Sequence, residues 1–259
     1  MSDVERAATD RGFLREKAYA DSTKLRARVS IYAYRDRPDN FWQWVLGLVD
    51  WPDGARALDV GCGPGVYLSL LRAEHPLMRV AGLDLSPGMA KEASQHAPVV
   101  VGDAARLPLP ADVIERVLAP HMLYHCPDIP AAIAELRRVL RPGGALVAVT
   151  NAHDHLLELW DVYAAVTQTR PAFFVDRFDL ASGEAPLRDV FDDVRVERTG
   201  GTLFVPEPQP IVDYMASTFH FADREDDNVL DEIGARVQRV IDREGVFRIR
   251  TRSGAFVCG

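Results

Sequence analysis

Between residues 56 and 150 the chain keeps two rhythms in turn. Short apolar runs at residues 57–60, interrupted only by Asp59, and at 80–83, 99–101, 117–119 and 145–150 are separated by stretches where apolar positions recur every three or four residues, at 66–74, 87–96 and 129–140. A strand covered on both faces has no solvent side and so reads as a continuous apolar run, whereas a surface helix keeps a single stripe. Strands and helices alternating in this way predict right-handed crossovers and a parallel, doubly wound α/β sheet with helices on both faces. Ligands of such sheets bind beyond the carboxyl ends of the strands, so the loops there carry the chemistry.

The flanks read differently. Residues 10–49 show a helical pattern, with Leu25, Val29 and Tyr32 on one face and Phe41, Trp42, Val45, Leu46 and Val49 on another, until Trp51-Pro52-Asp53-Gly54 breaks it. Helical patterns return at 153–168 and 180–191. Residues 194–205, interrupted by Gly200-Gly201, read as a strand, a hairpin or a long bent strand. Residues 225–243 form a charged amphipathic helix, and 247–258 close the chain as strands around Ser253-Gly254. Because the end returns to the sheet, the expected organisation is an N-terminal helical lid over 1–50 and one domain over 51–259, with helical cap insertions around 151–190 and 207–245.

Composition narrows the function. At 259 residues, 47% hydrophobic and 26% charged, the chain can bury one large core or two small ones. Its apolar stretches are too short to cross a bilayer and residues 1–10 are polar and not signal-like, so a cytoplasmic protein with no membrane partner is expected. A net charge of −8 argues against nucleic acid and for small ligands. Cys62, Cys126 and Cys258 are too few and too scattered for a disulfide framework or a metal clamp. Only Lys17, Lys24 and Lys91 are lysines, a bias toward arginine common in GC-rich bacterial genomes.

The stretch "LDVGCGPGVY", Leu58 to Tyr67, follows the first apolar run. A dinucleotide fingerprint needs a third glycine where this chain has Val66 or Leu68, and a phosphate-binding P-loop needs Gly-Lys-Ser/Thr where it has Gly65-Val66-Tyr67. What remains is a tight turn that lets backbone approach a ligand, opening a helix whose N-terminal amides favour an anionic group. Asp84 ends the second run, where an acidic side chain can accept both ribose hydroxyls. Asp103 follows the third, where it can accept from an exocyclic amine.

Taken in order, "LDVGCGPG", "GLDLSPGMAKEA", "GDAARLPLP", "HMLYHCPD" and "VLRPGGALVAVT" resemble the motifs of class I S-adenosylmethionine-dependent methyltransferases of the small-molecule type. "YADSTKLRARVSIYAY" is similar to the N-terminal lid of that family, and "RFDLASGEAPLRDVF" to a segment of some relatives. The resemblance implies a Rossmann-like seven-stranded sheet, parallel except for its final strand, and S-adenosylmethionine as cofactor. It places Gly61 and Gly63 at the methionine end with Asp59 bracing the loop, Asp84 on the ribose, Leu85 and Met89 on the adenine, and Asp103 with Ala104 at its amino group. The carbonyl of Ala119 is implied to approach the methionine ammonium, and Tyr19 and Arg28 its carboxylate. Glu115 and Pro120 depart from the family pattern.

Methyl transfer is an in-line displacement, so placing the nucleophile supplies much of the catalysis, and a base is needed only if the acceptor must lose a proton. His121 and His125 follow the fourth run and are the candidate bases. His121, His125 and Asp128 can also be read as metal ligands, but nothing on that loop supports an ion and no metal is expected. Tyr32, Tyr34, Trp160, Tyr163, Phe173, Phe174, Phe178 and Phe219 are candidates for an acceptor pocket. Arg248, Arg250 and Arg252 share one face of a strand, a solvated edge or an anion contact. The expected function is methylation of a small-molecule acceptor at O, N or C by a monomer or homodimer. A non-catalytic S-adenosylmethionine-binding protein and an NAD-dependent oxidoreductase are the alternatives.

Overall fold

The computed structural model describes residues 3–36, 40–169, 173–221 and 227–259. Seven strands form one sheet: β1 Arg56–Val60, β2 Arg79–Asp84, β3 Val99–Val101, β4 Ile114–Pro120, β5 Leu140–Asn151, β6 Val194–Val205 and β7 Phe247–Cys258. Their order is β3-β2-β1-β4-β5-β7-β6, with β7 antiparallel to both of its neighbours and the first five strands parallel. The parallel sheet and its antiparallel final strand are those expected from the sequence.

The helices used below are α1 Asp3–Thr9, α2 Thr23–Ser30, α3 Phe41–Leu46, α4 Val66–Glu74, α5 Pro87–Ala93, α6 Ile129–Val139, α7 Leu157–Thr167, α8 Gln209–Ala216 and α9 Asp227–Glu244; shorter turns are named by their residues. Helix α6 begins where the Asp128 side chain accepts from the Ala131 amide, with Pro130 in its first turn, and it buries Ala132, Ile133, Leu136 and Val139 at helical spacing. Helix α5 is capped in the same way by Ser86. One core fills each face of the sheet. A third gathers α7, α8 and α9 over β6 and β7 around Leu159, Met215, Val237 and Ile249, with Ile31 from the lid joining it.

Several sequence expectations need correction. The helical stretch expected over 180–191 is a helix only from Glu184 to Arg188, because the Asp179 carboxylate turns the chain by accepting from the Ala181 and Ser182 amides. Ser253-Gly254 is no turn: β7 is one continuous strand, and so is β6. Gly200 and Gly254 sit inside that ladder because a Cβ at either would lie 2.4 Å from a carbonyl oxygen of the partner strand. The lid reads as several short pieces, α2, α3 and the turns Leu14–Ala18 and Ile31–Tyr34. Residues 1, 2 and 37–39 of the expected lid, 170–172 and 222–226 of the expected caps, and so the start of the helix expected from 225, lie outside the described residues.

Candidate active site

The carboxyl ends of β1, β2, β3, β4 and β5 open into a cavity of about 1170 Å³, roofed by the lid and the caps. Its floor begins at the glycine loop. Gly61, Gly63 and Gly65 have φ of 70°, 53° and 88°, and the Gly61 amide donates to the Leu83 carbonyl (2.7 Å). Asp84 holds this turn: the Gly63 amide donates to one carboxylate oxygen and the Ser86 amide to the other, each at 2.8 Å. Burial nevertheless raises the pKa of Asp84, since the carboxylate is 9% exposed.

Tyr19, Arg28, Gly61, Gly63, Asp84, Leu85, Met89, Asp103, Ala104, His121 and His125 all line the cavity. Asp59 and Ala119 do not. Asp59 is fully buried in β1 and neither of its oxygens has a hydrogen-bond partner, so it does not brace the loop as expected. Desolvation, reinforced by Asp84, pushes its pKa up to about 8. Ala119 lies inside the sheet, paired with Ala148, and the adjoining Pro120 reaches the cavity in its place.

Two candidates are already engaged. The Asp103 carboxylate is paired with Arg11 from the lid (2.5 Å) and accepts from the Ala105 amide. His125 sits between Ala8 and Tyr19: its Nδ1 is 2.8 Å from the Ala8 carbonyl and its Nε2 2.9 Å from the Tyr19 hydroxyl. A carbonyl only accepts, so Nδ1 carries the proton and Nε2 accepts from tyrosine. With both nitrogens committed, His125 ties the lid down and has none left to act as a base, contrary to the sequence expectation.

His121 differs. Its backbone has φ of 54°, an uncommon conformation for a non-glycine residue, which turns the ring to stack on Phe41 (5.8 Å). The ring has no hydrogen-bond partner among the described residues. Burial lowers its pKa to about 4, so it is neutral near pH 7. The metal reading of His121, His125 and Asp128 falls away, since Asp128 caps α6.

Arg28 donates to the Ser217 carbonyl (2.5 Å), and its other terminal nitrogen is buried without a partner. Of the aromatic candidates, Tyr32, Trp160, Phe173, Phe174 and Phe219 line the cavity, and Tyr34, Tyr163 and Phe178 do not; Phe178 packs on Phe256 in the core. Arg248, Arg250 and Arg252 are paired with Glu244, Glu158 and Asp154. Glu115 accepts from the Arg56 amide and pairs with Arg141, a structural task at the far end of β4. Sequence reasoning missed His155, whose Nε2 is 2.8 Å from the Tyr32 hydroxyl, and also Asn151, Tyr214 and Ser253. The signal for Asn151 and His155 was their place at and just after the end of the last parallel strand.

This glycine loop, acid after β2 and strand order are those of the class I S-adenosylmethionine-dependent methyltransferase fold, and residues 58–148 match the family described as Methyltransferase domain. A malonyl-[acyl-carrier protein] O-methyltransferase of Serratia marcescens is 36% identical over 129 residues, 49% of this chain and 50% of that protein. A demethylmenaquinone methyltransferase of Bacillus licheniformis is 28% identical over 155 residues, 57% of this chain and 65% of that one. The chain thus spans about half to two thirds of these relatives' lengths. Among solved structures, a Haemonchus contortus phosphoethanolamine N-methyltransferase 2, in complex with phosphomonomethylethanolamine and S-adenosylhomocysteine, superposes with a TM-score of 0.57 at 19% identity. That match covers 96% of this chain and 59% of that one.

Proposed function

We propose that the protein transfers a methyl group from S-adenosylmethionine to a small organic acceptor. The observation that carries this reading is one continuous cavity that joins the glycine loop and Asp84 to an aromatic chamber, with the unengaged His121 ring on its wall. Its volume exceeds the usual ~300–1,000 Å³ of a single-ligand pocket, which leaves room for cofactor and acceptor together.

The residues fit the cofactor. Arg28 offers a buried guanidinium nitrogen without a partner, suited to a carboxylate, and Asp84 is a buried acid on the cavity wall without a cationic partner, suited to a ribose. Leu85, Met89 and Ala104 supply apolar contact for an adenine. For an amine to reach Asp103, Arg11 must give way or share the carboxylate. When bound, the cofactor supplies an electrophilic sulfonium methyl and leaves as S-adenosylhomocysteine.

The chain's own contribution is placement and proton handling. The aromatic walls exclude water and align the acceptor, which converts an encounter into a near-attack arrangement. His121, whose ring lines the cavity without a hydrogen-bond partner among the described residues, is the group placed to take a proton from an acceptor that must lose one, against the cost that burial sets on its charged form. Action in the cytoplasm, as a monomer or homodimer and without nucleic acid, is part of the same proposal. It is supported by a net charge of −8 and by the absence, among the described residues, of any helix long and apolar enough to cross a membrane. The arginine bias and the two bacterial relatives support a bacterial origin. Incubating the protein with S-adenosylmethionine and a panel of phenols, amines and indoles tests it: acceptor-dependent release of S-adenosylhomocysteine is expected, and release that never depends on an acceptor contradicts it.

A further inference from the structure

One wall of the aromatic chamber carries a chain of polar groups that methyl transfer in general leaves without a task. Ser253 of β7 lies opposite Asn151 of β5 and donates its hydroxyl to Asn151 Oδ1 (2.8 Å). With the hydroxyl donating to that oxygen, Asn151 Nδ2 is left with no hydrogen-bond partner among the described residues. His155 and Tyr32 continue the strip, and all four residues line the cavity. Ser253 and His155 are 5% and 9% exposed, so these positions are set by packing.

Charge narrows the choice of ligand. Among the described residues the acids that line the cavity are Asp84 and Asp103, both at the glycine-loop end; the chamber around Asn151 has none. A cationic amine brought there loses its hydration and meets no counter-charge. An oxygen is what a buried amide N–H favours, and Trp160, Phe173, Phe174 and Phe219 offer faces and edges for a flat ring.

We propose that the acceptor is a planar aromatic compound bearing a hydroxyl group, gripped through Asn151 Nδ2, and that this oxygen is the methylated atom. The proposal rests on the methyl-transfer reading of the site. As the new O–C bond forms from an oxygen lone pair, the S–C bond breaks with its electron pair left on sulfur, and the hydroxyl proton passes to His121.

The test is calorimetric, near neutral pH, on the full chain first saturated with S-adenosylhomocysteine. The three probes are 2-naphthol, naphthalene and the cation of 2-naphthylmethylamine. The naphthol is expected to bind at least ~10-fold more tightly than either comparator, the scale of one good hydrogen bond. Asn151→Ala is expected to erase the preference over naphthalene while S-adenosylhomocysteine affinity stays within about twofold, which also reports an intact fold. Equal or tighter binding of the cation overturns the proposal, and so does a preference that survives in Asn151→Ala. Failure of S-adenosylhomocysteine itself to bind is seen in the first titration and overturns the reading beneath.

Discussion

At Asp84 one carboxylate accepts the amides of Gly63 and Ser86 and still faces the cavity, where the proposal places the ribose hydroxyls. Asp84→Ala is expected to lower S-adenosylhomocysteine affinity by about 1–3 kcal/mol, roughly 5- to 150-fold, measured by calorimetry; unchanged affinity contradicts the ribose assignment. His121→Gln is expected to slow turnover ~100-fold or more with cofactor affinity intact, and an equal rate would leave placement as the whole mechanism. The glycine loop and Asp84 were legible because their chemistry is local in sequence. That Asp103 pairs with Arg11, and that His125 is spent between Ala8 and Tyr19, was not: each partner lies far away in the chain and arrives only through the lid.

The lid is the element that turns an open sheet edge into a chamber. It docks where the Ser86 hydroxyl donates to the Tyr19 carbonyl (2.6 Å), the Ser22 amide donates to Glu92 (3.0 Å) and the Ala20 carbonyl passes over Gly88. A Cβ at Gly88 would lie 1.7 Å from that carbonyl oxygen. Gly88→Ala is therefore expected to push the lid off α5, at about 1–3 kcal/mol and about 2–4 °C in Tm per kcal/mol, with weaker S-adenosylhomocysteine binding. A melting curve and affinity that match those of the parent protein would contradict the docking. The parallel strands were legible because burial on both faces leaves continuous apolar runs. The break expected at Ser253-Gly254 was misread because Gly254 answers to close backbone approach across the antiparallel β6–β7 ladder, which resembles turn chemistry in one dimension.

For the whole molecule, buried titratable groups set the response to pH. Burial holds His121 and His125 down to about 4 and His155 to about 3, from an ordinary value near 6.5. Their unfolded forms take up protons first, so the stability they contribute is whole above about pH 6.5 and is lost as pH falls toward 4. Asp59, raised to about 8, works the other way: its contribution is whole below about pH 4 and is lost as pH rises through 8. Asp84, also raised by burial, acts in the same sense as Asp59; the three histidines outweigh these two carboxyls, so Tm is expected to fall between about pH 6.5 and 4. Asp59→Asn is expected to steepen that fall and to raise Tm near pH 8. A flat profile would contradict the burial of these rings.

The most direct test of the central claim is calorimetric titration of the full chain with S-adenosylhomocysteine, with NADH as the comparator. The glycine loop lacks the third glycine of a dinucleotide fingerprint, while Arg28 and Asp84 line the cavity where the proposal puts an amino acid joined to a ribose. Micromolar, one-to-one binding of S-adenosylhomocysteine with no heat from NADH is the expected result. Binding of NADH in its place, or of neither compound, would contradict it.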